Sequence, residues 1–216
     1  MASLRLDGVK KVLCLGAHSD DIEIGCGATL LRLIQEQPGL EIYWLVFSAR
    51  GVRAREAKAS AGEFLRGVRA RRIRTMTHRE SYFPDEWSDI KDTFEQVKRS
   101  FQPDLVLTQY RNDRHQDHRV LSDLAWNTFR NHLVLEYEIP KYDGDLGWPN
   151  VYVPVPRDLC ERKISILLRR FQSQKDRHWF TADTFWALLR LRGIECASPS
   201  GFAEAFYGRK LSLSSR

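Results

Sequence analysis

Short apolar runs alternate with stretches of helical periodicity along most of this chain, and that alternation narrows the fold more than any other feature. Residues 10–15 read as a buried strand. Residues 41–47, rich in aromatic and β-branched side chains, read as a second strand, and residues 72–77, 104–109 and 133–139 as three more. Between them, helices are expected at residues 21–37, 53–66, 87–101 and 118–131. The first carries Ile24, Ala28, Leu31 and Ile34 on one face and stops at Pro38-Gly39. Strands separated by helical crossovers pair in parallel. The expectation is therefore a Rossmann-like α/β domain, with a doubly wound, mainly parallel sheet of order 3-2-1-4-5 and helices on both faces. Residues 140–156 hold four prolines and two glycines and read as loop. Helices at residues 157–171 and 181–192 and a last strand at residues 203–211 complete the pattern. With no repeat, low-complexity tract or linker, the 216 residues are read as one domain.

The net charge of +6, from 34 basic and 28 acidic residues, excludes little by itself. The densest basic run is Arg66, Arg69, Arg71, Arg72 and Arg74. It falls where a helix is expected to end and a strand to begin, and cations at a helix end complement the helix dipole, so no nucleic-acid partner is predicted. No apolar run approaches the roughly 18 residues of a membrane span. The N-terminal apolar patch, Val12 to Leu15, is too short for the core of a signal peptide. Cys14, Cys26, Cys160 and Cys196 form no C-x-x-C pair, which suits a reducing, cytoplasmic setting. A homo-oligomer is left open.

Two polar clusters carry the chemistry. Gly16-Ala17-His18-Ser19-Asp20-Asp21 follows the first strand directly, and Arg114-His115-Gln116-Asp117-His118 follows the fourth. In a 3-2-1-4-5 sheet these strands are neighbours at the switch point, where ligands bind beyond the strand carboxyl ends. The residue types suit a catalytic zinc site, which takes three His, Asp, Glu or Cys ligands and leaves one position open. His18 and Asp21 stand at a loop-to-helix junction, and a histidine of the second cluster completes a triad. Asp20 is then a spare carboxylate able to take a proton from water. Either cluster alone has an ordinary explanation: an Asp-Asp pair after a strand is commonly a helix N-cap, and a loop histidine is commonly surface. Their convergence on adjacent strand ends favours the site. His78, His132 and His178 lack such company and read as structural or surface residues. Trp126, Trp179 and Trp186 read as core.

The two clusters resemble the signature of the PIG-L family, the LmbE-like de-N-acetylases, which carry A-H-P-D-D near the N-terminus and H-P-D-H in the middle. Here the stretches are Ala17-His18-Ser19-Asp20-Asp21-Ile22-Glu23-Ile24-Gly25-Cys26-Gly27-Ala28-Thr29 and His115-Gln116-Asp117-His118. The likeness continues through Arg53 to Glu56, Phe171 to Gln174 and Ala203 to Phe206. Ser19, Gln116 and Ala28 depart from the family pattern, where two prolines and a glycine are usual. The resemblance implies a zinc-dependent hydrolase that removes an N-acetyl or other N-acyl group from an amino sugar or related small polar amide. Carried over by position, it implies His18, Asp21 and His118 as ligands of Zn2+ or another divalent ion. It further implies Asp20 as general base, a protonated His115 as oxyanion stabiliser, Asp117 as the carboxylate orienting His115, and Arg53 as a substrate contact.

Three rival readings are weaker or chemically close. A nucleotide-binding Rossmann protein needs glycines in the turn after the first strand and an acid at the end of the second. Gly25 and Gly27 fall inside the helix, and the second strand ends Phe47-Ser48-Ala49-Arg50. A non-catalytic binding module would have lost the base or a ligand, and none is missing. A zinc amidase acting on a larger N-acyl group or a thiol conjugate uses the same metal chemistry and is the main alternative.

Overall fold

The computed structural model describes residues 6 and 8–211. A seven-stranded sheet forms the centre. Its strands are β1 (Lys11–Gly16), β2 (Glu41–Val46), β3 (Ala70–Thr75), β4 (Leu105–Gln109), β5 (Leu133–Tyr137), β6 (Val151–Pro154) and β7 (Ala203–Gly208). The helices are α1 (Asp21–Glu36), α2 (Gly51–Phe64), α3 (Trp87–Ser100), α4 (Gln116–Thr128), α5 (Arg157–Arg170) and α6 (Ala182–Glu195), with a 3-10 turn at Gln172–Gln174. The spatial order is β3-β2-β1-β4-β5-β7-β6. The first five strands pair in parallel, in the order 3-2-1-4-5 expected from the alternation.

The inner strands are apolar along almost their whole length because helices cover both faces. Val12 and Cys14 point into the layer under α1, α2, α5 and α6. Leu13 and Leu15 point into the opposite layer, under α3 and α4.

The sheet is wider than the sequence pattern indicates. β7 returns antiparallel to β5, with Tyr137 opposite Phe206, and β6 pairs antiparallel with β7. Residues 151–154, which the sequence pattern reads as loop, form an edge strand. It has only four half-buried residues, is bonded on one side and ends in Pro154. An edge strand tolerates proline because its outer side needs no ladder donor, so the prolines that read as loop are compatible with it. The basic run spans the end of α2 and the strand that follows it. Residues 70–75 form β3, the opposite edge, and Arg69, Arg71, Arg72 and Arg74 are exposed along or beside it. Arg72 lies 3.6 Å from Glu41 on the neighbouring strand. Charge along an unpaired edge discourages pairing with a second chain.

Helix α1 sits unusually close to the sheet. A Cβ on Gly25 would fall 2.0 Å from Cδ2 of Tyr137, and one on Gly27 would fall 2.8 Å from Phe64. The fully buried Tyr137 donates its hydroxyl hydrogen to the Leu15 carbonyl on β1. A buried ion pair grips the same helix from the other side. Lys163 Nζ lies 2.6 Å from Glu204 and donates to the Ile24 carbonyl, while Glu204 accepts from the N–H groups of Ala28 and Thr29 at 3.0 and 2.7 Å. Replacing Gly25 by alanine is expected to cost about 1–3 kcal/mol or more, because a core this close cannot absorb a methyl group. Gly62→Ala, where nothing lies within 4 Å, is expected to stabilise by roughly 0.5–1 kcal/mol through helix propensity. Urea unfolding of both variants checks the pair, and equal effects would contradict the packing described.

Candidate active site

The loops after β1 and β4 meet at the carboxyl edge of the sheet. β1 stops at Gly16, and the chain turns through Ala17–Asp20 into α1 with His18, Asp20 and Asp21 all buried. β4 stops at Gln109, and a short loop carries Asp113 and His115 to the start of α4, where Asp117 and His118 are buried. All seven residues singled out from sequence lie at this junction or on the α2 wall beside it. The N-cap explanation for the Asp-Asp pair does not hold: Asp20 occupies the cap position, but its side chain makes no cap hydrogen bond. The Asp21 carboxylate instead accepts from the His18 N–H at 2.8 Å and from Gln109 Nε2 at 3.0 Å.

Three donor atoms form a compact triangle. His18 Nδ1 and His118 Nε2 are 3.1 Å apart, and Asp21 Oδ2 lies 3.6 Å from the first and 3.5 Å from the second. A tetrahedral ion with bonds of about 2.0–2.1 Å sets its ligand atoms roughly 3.3–3.4 Å apart. The far nitrogens of both rings are occupied: His18 Nε2 lies 3.0 Å from Asp117 Oδ2 and His118 Nδ1 2.9 Å from Asp113 Oδ2. Each carboxylate engages the outer nitrogen and leaves the inner nitrogen as the one that can bind an ion, the arrangement common around metal-bound histidines. These residues therefore fit a divalent ion. His115 brings another ring nitrogen within 4.8 Å of the same two rings and is an alternative third donor.

The electrostatics agree with a cation at this point. Burial disfavours charge on His18, but Asp21 and Asp117 outweigh it and push the ring up to about 10. Burial likewise opposes the charge on Asp21, yet His118 and His18 hold it well below the usual carboxylate range. With no metal, a proton supplies the positive charge that these carboxylates demand, and an ion competes for the same place. Asp20 differs. Burial raises it and Arg53 opposes, with Nη2 lying 3.6 Å from Asp20 Oδ1, and the balance is about 6.

Asp117 does not serve His115 as the sequence reading has it. Its carboxylate holds His18 and accepts from the N–H groups of Ser81 and Phe83 at 2.6 and 3.2 Å. The reason is geometric: Asp117 lies in the first turn of α4, where its carboxylate meets the loops that follow β1 and β3 rather than its own cap residue. His115, at that cap, accepts the Asp117 N–H on Nδ1 at 3.3 Å. Burial lowers the His115 ring below its ordinary value, and repulsion from His118 and His18 adds to this. Both effects oppose the protonated ring that the resemblance implies, and because Nδ1 accepts the Asp117 N–H, Nε2 is the nitrogen that carries a hydrogen.

The cleft above the triangle has a volume of about 300 Å³ and is lined by Asp20, Arg53, His115, Tyr142 and Trp179, among others. Arg53 faces it, as expected, and is anchored to Glu80 at 2.7 Å. Arg50 turns away to the Thr77 carbonyl. Trp179, read from sequence as core, is only half-buried and forms part of the wall. His78 pairs with Glu86 and His132 packs on Phe129, both outside the cleft. Sequence reasoning missed Asp113 and Gln109. Asp113 had a legible signal, since a metal-binding histidine needs an acceptor for its second nitrogen and Asp113 lies in the loop just before His118. The Arg53-to-Glu56 and Phe171-to-Gln174 motifs meet through Glu56, which accepts from the Ser173 N–H at 2.9 Å and from its hydroxyl. That contact clamps α2 to the 3-10 turn.

The family model described as PIG-L, GlcNAc-PI de-N-acetylase, matches residues 13–129. An uncharacterized deacetylase of Escherichia coli K12, YaiS, is 31% identical over 144 residues, covering 61% of this chain and 75% of that one. The structure of N,N'-diacetylchitobiose deacetylase from Pyrococcus horikoshii superposes with a TM-score of 0.68 at 20% identity, over 94% of this chain and 85% of the other. That of the 4-carboxy-2-hydroxymuconate hydratase GalB from Pseudomonas putida KT2440 gives 0.70 at 14% identity, over 96% and 99%. At such identities the two structures speak for a shared fold, and a hydratase among them shows that the fold alone does not choose the reaction. The family match runs from β1 to the end of α4 and takes in His18, Asp20, Asp21, Arg53, His115, Asp117 and His118, so this chain belongs to the PIG-L family of de-N-acetylases.

Proposed function

We propose that this protein is a zinc-dependent hydrolase that removes the acetyl group from the nitrogen of an amino sugar or a closely related small polar amide. The observation that carries this reading is the triangle of His18 Nδ1, His118 Nε2 and Asp21 Oδ2, with a separate buried carboxylate, Asp20, opening on the same cleft. Of the two candidate third ligands we assign Asp21, because its oxygen completes the triangle, and leave His115 for the substrate. A divalent ion at this position supplies Lewis acidity, which acidifies water and polarises a carbonyl.

Asp20 takes the proton from the water that attacks the amide carbonyl. Its value of about 6 suits a base working near neutrality. Arg53 keeps it ionised in spite of burial. His115 Nε2–H donates to the carbonyl oxygen as negative charge builds there, a role worth about 3–4 kcal/mol for a well-placed donor. Protonated Asp20 then returns its proton to the departing amine nitrogen. Asp117 and Asp113 position the His18 and His118 rings. The free face of Arg53 meets substrate hydroxyls. Release of free amine from a panel of N-acetylated sugars, nucleotide sugars and longer N-acyl amides tests the reading, and activity confined to the longer acyl amides would replace it with a broader amidase.

His118→Ala and Asp21→Ala are expected to lose the bound ion in elemental analysis, whereas His115→Ala keeps it and loses turnover. Retained metal in Asp21→Ala with loss in His115→Ala would move the third ligand to His115. Asp20→Asn keeps the shape but not the basicity, and turnover should fall roughly 100-fold or more with metal content unchanged. Near-full activity would place the base elsewhere. For Arg53→Ala the expected change is a rise in KM of about tenfold together with a lower kcat, and kinetics unchanged on every substrate would remove its role.

A further inference from the structure

The connection between β5 and β6 stands in solvent at its far end, where Trp148 is 94% exposed, but its start turns inward. The side chain of Lys141 is only 9% exposed and lies on the wall of the catalytic cleft. No step of the reaction above uses it. A buried ammonium is costly unless acceptors surround it, and here they do. Lys141 Nζ donates to Asp145 Oδ2 at 2.7 Å, to Asp113 Oδ2 at 2.9 Å and to the Ile139 carbonyl at 3.5 Å, with Asp143 at 3.8 Å.

Holding the chain in place accounts for part of this arrangement. Asp145 Oδ2 also accepts the Arg114 N–H at 2.7 Å, so Asp145 and Lys141 together fasten the connection to the loop after β4. The contact with Asp113 needs another reason. Asp113 is already oriented without it: Oδ1 accepts the His115 N–H at 2.8 Å, and its own N–H donates to the Tyr110 carbonyl at 3.1 Å. Lys141 meets the same oxygen, Oδ2, that lies 2.9 Å from His118 Nδ1. What the lysine adds at that oxygen is a full positive charge.

The other histidine of the triangle shows the contrast. Asp117 Oδ2 lies behind His18 as Asp113 Oδ2 lies behind His118, but its further donor is the peptide N–H of Ser81. No lysine or arginine pairs with Asp117 among the described residues. The two rings are thus backed by carboxylates of different effective charge. A carboxylate behind a ligand imidazole makes the ring a better donor to a metal. An ammonium on the same oxygen reverses part of that effect.

We propose that Lys141 is a positioning residue for the metal centre and acts through Asp113: its charge offsets the carboxylate behind His118, so that a divalent ion there is held less tightly and keeps more of its power to polarise a carbonyl. This rests on the metal-dependent reading above, which it deepens by naming the residue that weakens one ligand. A purely structural role predicts the opposite sign, since loosening the loop after β4 would loosen the ion.

The test measures the dissociation constant for zinc by competition with a chelating indicator, together with kcat and KM on a substrate found in the panel above. Lys141→Met should bind zinc about tenfold more tightly and turn over about tenfold more slowly, with KM little changed. Lys141→Arg, which keeps the charge, should hold both near their native values. In Asp113→Asn protein the carboxylate charge is gone, and adding Lys141→Met should tighten zinc by less than about threefold. Weaker or unchanged zinc binding in Lys141→Met would overturn the proposal. So would a Lys141→Arg protein that behaves like Lys141→Met, an equal tightening in the Asp113→Asn background, or a loss confined to KM. Should Lys141→Met fail to fold, NMR of the native protein with isotope-labelled lysine decides. The Lys141 ammonium signal, assigned with Lys141→Arg, shifts on addition of zinc if the coupling through Asp113 exists, and an unmoved signal overturns it. If no substrate is turned over, the deacetylase reading fails separately and the zinc affinities still decide Lys141. A native protein that binds no zinc would overturn the metal reading and this one together.

Discussion

The contact between Gly25 of α1 and the ring of Tyr137 on β5 sets the position of everything chemical in this protein. The helix can approach so closely only because residue 25 has no side chain. Tyr137 in turn donates its hydroxyl hydrogen to β1, tying β5, α1 and the strand that leads to His18 into one block. The start of α1 holds Asp20 and Asp21, so a shift of this helix by a fraction of an ångström would spread the donor triangle. The Lys163–Glu204 pair adds a second grip on the same helix through its own backbone groups. A buried ion pair contributes little net stability when compared with apolar packing. Its importance here lies in direction, because it bonds named peptide groups where apolar contacts would allow sliding.

Around the site the same division of partners recurs. Each buried carboxylate has one task set by what it touches. Asp117 and Asp113 face the outer nitrogens of His18 and His118, Asp21 faces their inner nitrogens, and Asp20 faces Arg53 and open cleft. Four aspartates of identical intrinsic acidity are placed in different surroundings by neighbours alone, and the proposed division into positioning, ligating and basic roles rests on those surroundings. The same electrostatics act on His115, where burial and then repulsion from two nearby imidazoles disfavour a positive charge.

The hydratase of closely similar fold makes clear that the sheet and its helices do not select a reaction. At the carboxyl end of the sheet this chain holds the donor triangle, a further buried carboxylate beside it and an open cleft above them. The cleft wall draws on α2, on the connection after β5 and on the segment after α5. Segments that lie outside a sheet can change without disturbing it, which is how one scaffold serves several substrates.

Much of this architecture is legible in the amino-acid sequence. The inner sheet order follows from alternation, because parallel strands require crossovers and the right-handed crossover leaves few arrangements. The gathering of His18, Asp20, Asp21, His115, Asp117 and His118 follows from that order, since it makes strands one and four neighbours. Local pattern cannot show β6, whose four residues sit among prolines and gain their ladder only from β7, far away in sequence. Nor can it show that the Asp117 carboxylate turns to His18, that Asp113 holds His118, or that Trp179 lines the cleft and Trp148 stands in solvent. Periodicity records which residues are apolar and how often they recur, and that is enough to determine the layers and the switch point. Which nitrogen a carboxylate reaches depends on the angle at which a helix leaves its loop, and that angle is decided only when the helix packs against the sheet.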